Sequence, residues 1–169
     1  MPNSQTYYDF IAPSYNELYG DEQRRKVEIV RSHLVITPKT RILDVGCGNG
    51  ISSDFNCYCV GIDPSKELIS QAQRRDKNKK HTYKVARAED IDRFGFRPHE
   101  FDYIVCISAV HHIVGLEVFL KKARKYASKF VFSVLKKSPR KQKIITAIRS
   151  TMHVYGVVDE GKDVILFCK

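Results

Sequence analysis

The chain has 169 residues, 43% of them hydrophobic, and its 29 Lys/Arg against 19 Asp/Glu give a formal net charge of +10. That size suits one domain with a single core. No apolar run nears the ~20 residues of a membrane span, and the polar start Met1-Pro2-Asn3-Ser4-Gln5 lacks a basic-then-apolar leader pattern, so a cytoplasmic protein without membrane contact is expected.

Residues 1–38 precede the first strand pattern. They hold Tyr7, Tyr8, Phe10, Ile11, Tyr15, Leu18 and Tyr19, and then Val27, Ile29, Val30, Leu34 and Val35 at near-helical spacing, closed by Pro38. From there strands and helices alternate. Strands are predicted over 41–45, 57–62, 82–86, 101–107 and 129–135, and helices over 65–75 (with a Ser cap), 116–127 and 141–152. The continuous apolar run at 101–107 suits a strand buried on both faces of a parallel sheet. Residues 154–158, a Glu160-Gly161 turn and residues 163–167 form a hairpin pattern. Only residues 51–56 separate the first glycine turn from strand two, so a very short crossover helix is expected there. The whole predicts an α/β three-layer sandwich with a seven-stranded, mostly parallel sheet ending in a β-hairpin.

The glycine turn is the most informative segment. Ile42-Leu43-Asp44-Val45-Gly46-Cys47-Gly48-Asn49-Gly50 runs from a strand into the turn, and Val60-Gly61-Ile62-Asp63 ends the next strand in an acid. Glycines let the backbone approach a ligand, and an acid so placed can accept two ribose hydroxyls. A dinucleotide site usually shows G-x-G-x-x-G; here the spacing is G-x-G-x-G.

That pattern resembles motif I of the class I S-adenosylmethionine (SAM) methyltransferases, over roughly residues 7–169. The resemblance implies the strand order 3-2-1-4-5-7-6, SAM as cofactor, and a helical lid over 1–38 in front of a SAM-binding domain over 39–169. It implies that Gly46, Cys47, Gly48, Asn49 and Gly50 line the methionine end above Asp44. Asp63 takes the ribose, with Pro64 and Ser65 near the adenine. Arg87-Ala88-Glu89-Asp90 is similar to the segment flanking the adenine, with Arg87 in place of the usual first acid; Ala88 and Glu89 are the candidate contacts, helix capping being the other role open to Glu89. Ile107 completes the set at the end of strand four. Tyr7-Tyr8-Asp9-Phe10-Ile11-Ala12-Pro13-Ser14-Tyr15-Asn16 resembles an aromatic lid, with Tyr8 and Tyr15 the candidates to close over SAM. The turn after the 116–127 helix reads Ala127-Ser128-Lys129 where many family members carry Pro-Gly-Gly.

Ala109-Val110-His111-His112 follows strand four, at the edge of the sheet where such folds bind ligands. A His there suits proton transfer near neutrality, so His111 and His112 are the catalytic candidates, with packing as the alternative. The five cysteines show no C-x-x-C pair or zinc-ligand spacing, so no metal is expected.

Residues 118–158 carry eleven Lys/Arg and no acid. Such a field attracts polyanions. An RNA partner is therefore expected on Lys121, Lys122, Lys136, Lys137, Arg140 and Lys141, and the leading expectation is methylation of a base or modified base in tRNA or rRNA. The alternatives are a quinone-type or metabolite methyltransferase, a protein methyltransferase, and a non-catalytic SAM-binding module. No separate target-recognition domain is expected, so acceptor choice falls to residues 1–38, the 93–100 loop and the basic edge, or to a small activator protein such as some relatives use.

Overall fold

A computed structural model describes residues 9–77 and 79–169, without the side chains of Pro13, Tyr15 and Asn16. Helix α1 (Tyr15–His33) leads into β1 (Arg41–Val45), β2 (Tyr58–Asp63), α2 (Lys66–Arg75), β3 (Thr82–Val85) and a 3-10 segment (Ala88–Phe94). Then come β4 (Tyr103–Cys106), α3 (Leu116–Ala123), β5 (Phe130–Leu135), α4 (Lys141–Thr151), β6 (Val154–Asp159) and β7 (Asp163–Cys168). The sheet order is β3-β2-β1-β4-β5-β7-β6, with β7 antiparallel to both neighbours, as the sequence predicts.

Side chains alternate across the central strands, and both faces are apolar. Leu43, Ile104 and Phe132 pack toward α3 and α4. Ile42, Val105 and Val131 pack against Val27 and Val30 of α1. Burial on both sides explains why strand four reads as an unbroken apolar run. Its ends pair less far than predicted: Phe101 and Ile107 are buried but stand outside the ladder. The helix predicted to residue 127 ends at Ala123, because Phe101 N–H bonds the carbonyl of Tyr126 and pulls that segment onto the sheet.

The expected short crossover helix between β1 and β2 is absent; residues 51–56 form turns and extended chain. The segment is spent on successive turns instead: the N–H groups of Gly50, Ser53 and Asp54 bond the carbonyls three residues back, at Cys47, Gly50 and Ile51. A fully buried Phe55 fills part of the vacated layer against α1.

Candidate cofactor and acceptor site

The carboxyl edge of the sheet gathers the turn after β1, the end of β2, the loop after β4, the segment after β5 and the β6–β7 turn. Gly46, Gly48 and Gly50 all take positive φ (76°, 52° and 84°). The N–H groups of Gly46 and Cys47 both donate to the Ile62 carbonyl, which ties the turn to β2. A methyl group at Gly46 would stand 2.2 Å from Cβ of Ala109, so the loop after β4 abuts the glycine turn directly.

Asp44 is fully buried under this turn, and its Oδ2 accepts the hydroxyls of Ser52 and Ser53, each at 2.7 Å. Burial raises its pKa to about 6 against those two stabilising bonds. Asp63 accepts Gly48 N–H at 3.0 Å and Ser65 N–H at 2.8 Å. Its pKa also rises to about 6, chiefly by burial, with Asp9 adding repulsion. The Ser65 hydroxyl donates to Asp9 while it caps α2 by accepting Leu68 N–H. The residues 9–14 segment is thus laid against α2, which Gln71 reinforces by donating to the carbonyl of Ala12 at 2.8 Å.

Two buried acceptors at the turn, Asp44 Oδ1 and Asn49 Oδ1, have no hydrogen-bond partner among the described residues. Orphan buried acceptors are costly unless a donor meets them. A glycine cradle with two open acceptors and an adjacent carboxylate fits SAM, whose ammonium and ribose hydroxyls are donors.

The other predicted cofactor contacts divide. Cys47 lies buried in the turn, its thiol pKa pushed well up by burial. Pro64 is partly exposed beside the buried Ser65, and Ala88 is buried. Ile107 packs into the core on the α1 side. Glu89 directs Oε1 to the N–H groups of Val114 and Gly115, at 3.0 and 3.3 Å, and so caps the approach to α3. Tyr8 and the side chain of Tyr15 lie outside the described residues.

The loop after β4 carries the histidines. Their rings stand 4.1 Å apart between centroids. Burial lowers the pKa of His111, aided by the charges of Lys26 and Arg140; burial also lowers His112, to about 4. Both are neutral at pH 7. The buried Nδ1 of His111 has no hydrogen-bond partner among the described residues. Arg140 donates to the carbonyls of His111 at 2.6 Å and Ile113 at 3.2 Å.

Of the predicted basic face, Lys136 pairs with Asp159, and Lys122 meets Asp92 at 2.9 Å and the Glu89 carbonyl at 2.8 Å. Lys121 and Lys137 are exposed and Lys141 half-buried. The acids missing from residues 118–158 thus reach that stretch from segments outside it. Among the described residues, no group of three His, Cys, Asp or Glu is placed to hold a metal, and no helix is long and apolar enough to cross a membrane.

Residues 43–129 match the model of a family described as methyltransferase domain. The chain belongs to that family. The ubiquinone biosynthesis O-methyltransferase of Bradyrhizobium diazoefficiens is 34% identical over 90 residues, which are 48% of this chain and 33% of that protein. The chain therefore spans about a third of that curated relative's length. A SAM-dependent methyltransferase from Aquifex aeolicus has the same fold, at a TM-score of 0.73 and 16% identity, covering 92% of each chain. So does a SAM-bound magnesium protoporphyrin IX methyltransferase from Synechocystis PCC 6803, at a TM-score of 0.70 and 15% identity, covering 95% of this chain and 96% of that one. The domain is that of a Rossmann-like, class I, SAM-dependent methyltransferase.

Residues outside the predicted cofactor and catalytic sets support the candidate site: Asp9 on Ser65, Ser52 and Ser53 on Asp44, Lys26 on Ser108 behind the histidine loop, and Arg140, expected on the RNA face, on the carbonyl of His111. Two signals were available. Ser52-Ser53 is a hydroxyl pair just after the motif, and Lys26 is a charge beside Val27 and Val30 on the buried stripe of α1.

Proposed function

We propose that this methyltransferase acts on a hydroxyl of a small, ring-bearing acceptor of the hydroxylated quinone-precursor type. The observation that carries the reading is the similarity to ubiquinone biosynthesis O-methyltransferases, over 48%, 53% and 75% of this chain in three of them. SAM supplies a methyl group on a sulfonium, a leaving group that needs no further activation. The chain's part is to bind, align and exclude water. Asp44, Asn49 and the glycine turn hold the methionine end, and Asp63 with Ser65 the ribose side. His111, neutral and with Nδ1 open, takes the acceptor's hydroxyl proton. Such a base contributes about 10²–10⁴-fold.

The earlier expectation of an RNA base as acceptor draws on the acid-free stretch. Its support weakens where Lys122, Lys136 and Arg140 engage the protein's own acids and carbonyls. Labelled SAM supplied with 3,4-dihydroxybenzoate, a lipid-soluble phenol extract and bulk tRNA and rRNA tests the reading. Label in the catechol or the phenol fraction, lost in His111→Ala with SAM binding kept, is the expected result. Label confined to RNA overturns it.

A further inference from the structure

Lys26 is the buried cation of the fold, with 1% of its surface exposed. Its ammonium donates to Glu22 Oε1 at 2.6 Å and to Ser108 Oγ at 2.9 Å, and it forms an ion pair with Asp163 Oδ2 at 2.9 Å without hydrogen-bond geometry. One side chain therefore joins α1, the start of β7 and the first residue of the histidine loop. Lys162 adds a second cation to Glu22 at 2.6 Å, so two lysines face two carboxylates and the cluster is neutral.

Such a cluster is a weak source of stability. Desolvating the ions costs about as much as their attraction returns, and apolar residues of similar volume often serve as well. What it supplies is a fixed point. Ser108 has a φ of 58°, in the left-handed region. A non-glycine residue there is strained and persists only where its surroundings hold it. Ser108 is held at both ends: its N–H donates to Ser133 Oγ at 2.6 Å, and its hydroxyl accepts from Lys26. The next residue, Ala109, is the one that abuts Gly46, and His111 follows two positions later. Arg140 secures the far end of the loop.

We infer that Lys26 is a positioning residue for the methyl-accepting site: through the Ser108 hydroxyl it sets the left-handed turn that places His111 beside the cofactor turn. The inference rests on the reading of His111 as the acceptor-side base. Lys26 touches neither cofactor nor acceptor; it acts through Ser108. The charged and titratable groups facing His111 are Lys26 from α1, Arg140 from the segment before α4 and His112 from its own loop.

The test separates position from charge. Ser108→Ala removes the hydroxyl and leaves the Lys26 cluster and its charge in place, so it is the deciding variant; Lys26→Met keeps the hydroxyl but removes both its donor and the charge. The readout is the NMR titration of the His111 ring, assigned against His111→Asn, alongside SAM binding by calorimetry. Ser108→Ala is expected to move the His111 midpoint upward, toward the ordinary 6.5, because a loosened loop lets water reach the ring. SAM affinity is expected to stay within about threefold, since an indirect effect passes only through Ala109. Lys26→Met is expected to move the midpoint at least as far, and the double variant no further than Lys26→Met alone. A midpoint unmoved in Ser108→Ala overturns the inference, even where Lys26→Met does not fold. Methyl transfer to 3,4-dihydroxybenzoate by His111→Ala is a separate arm. Full transfer there sinks the reading of His111 as base, while the Ser108→Ala titration still decides whether Lys26 sets the loop.

Discussion

Asp63 accepts the backbone N–H of Gly48 at 3.0 Å, closing the end of β2 onto the glycine turn that ends β1. Fifteen residues apart in sequence, the two form one wall of the cofactor site. The same carboxylate takes Ser65 N–H, so it orients the turn and the start of α2 together. Asp63→Ala removes a charged acceptor from both. Each hydrogen bond to a charged group is worth ~1.5–3 kcal/mol, so SAM affinity is expected to fall by about tenfold or more. Calorimetric titration of SAM measures it; unchanged affinity would remove Asp63 from the site.

Cofactor binding should also depend on pH through the two buried acids. Asp44 and Asp63 each have a folded pKa of about 6 against an ordinary 3.8, raised first by burial. A carboxyl raised on folding binds its proton more tightly in the native state. Its contribution to the ligand-free fold is fully present below the ordinary carboxylate value and is lost as pH rises through about 6. The cationic cofactor favours the ionised form, so the rise in melting temperature on adding SAM should grow from pH 5 to pH 7.5. Half-buried His81, His111 and His112, their pKa values lowered first by burial, weaken the fold as pH falls, so a SAM-free melt is subtracted at each pH. Thermal melts at fixed SAM and ionic strength provide the check, and Asp63→Asn should flatten the trend. A SAM-induced shift that shrinks with pH contradicts the assignment.

Gly46 and Gly95 give a matched pair, with φ of 76° and 70°. A methyl group at Gly46 meets Ala109 Cβ at 2.2 Å, whereas one at Gly95 meets nothing within 4 Å. Gly95→Ala should cost only the left-handed penalty, about 1–2 kcal/mol. Gly46→Ala must in addition part the cofactor turn from the histidine loop, and it should lower both melting temperature and SAM affinity well beyond Gly95→Ala. Equal melts for the two variants would show that Ala109 moves aside freely.

What was legible in the sequence follows from range. The strands, the glycine turn and Asp63 could be read because each is announced by a local pattern: an apolar run, a glycine spacing, an acid at a strand end; the strand order came only with the family resemblance that these patterns carry. The crossover was misread because spacing alone suggests a helix, while residues 47–54 close into successive turns with bonds three residues back. Glu89 was legible as an acid in the right segment, but not as the acceptor for Val114 and Gly115 N–H, which lie 25 and 26 residues on. Lys26 left a local signal as a charge on the buried stripe of α1, but its partner Ser108, 82 residues on, left none. Long-range polar partners leave no periodic trace.

The clearest division between acceptor classes lies in the segment after β5. Lys137 is exposed, whereas Arg140, three residues later, bonds the carbonyls of His111 and Ile113. If that segment held RNA phosphates, removing either cation would weaken RNA binding and flatten its salt dependence by about one charge each. If the acceptor is a small ring compound, the two part company. Lys137→Ala should then leave methyl transfer to 3,4-dihydroxybenzoate unchanged. Arg140→Ala leaves two loop carbonyls without their donor, and a misplacement near 1 Å is enough to cost up to about 10²-fold in rate. It should therefore lower turnover sharply while SAM affinity, set by the glycine turn and Asp63, stays close to that of the wild type. Paired measurements of transfer rate and of RNA binding across a salt series decide between them. Equal loss of RNA affinity in both variants, with catechol transfer unaffected by either, would return the basic edge to a polyanionic partner.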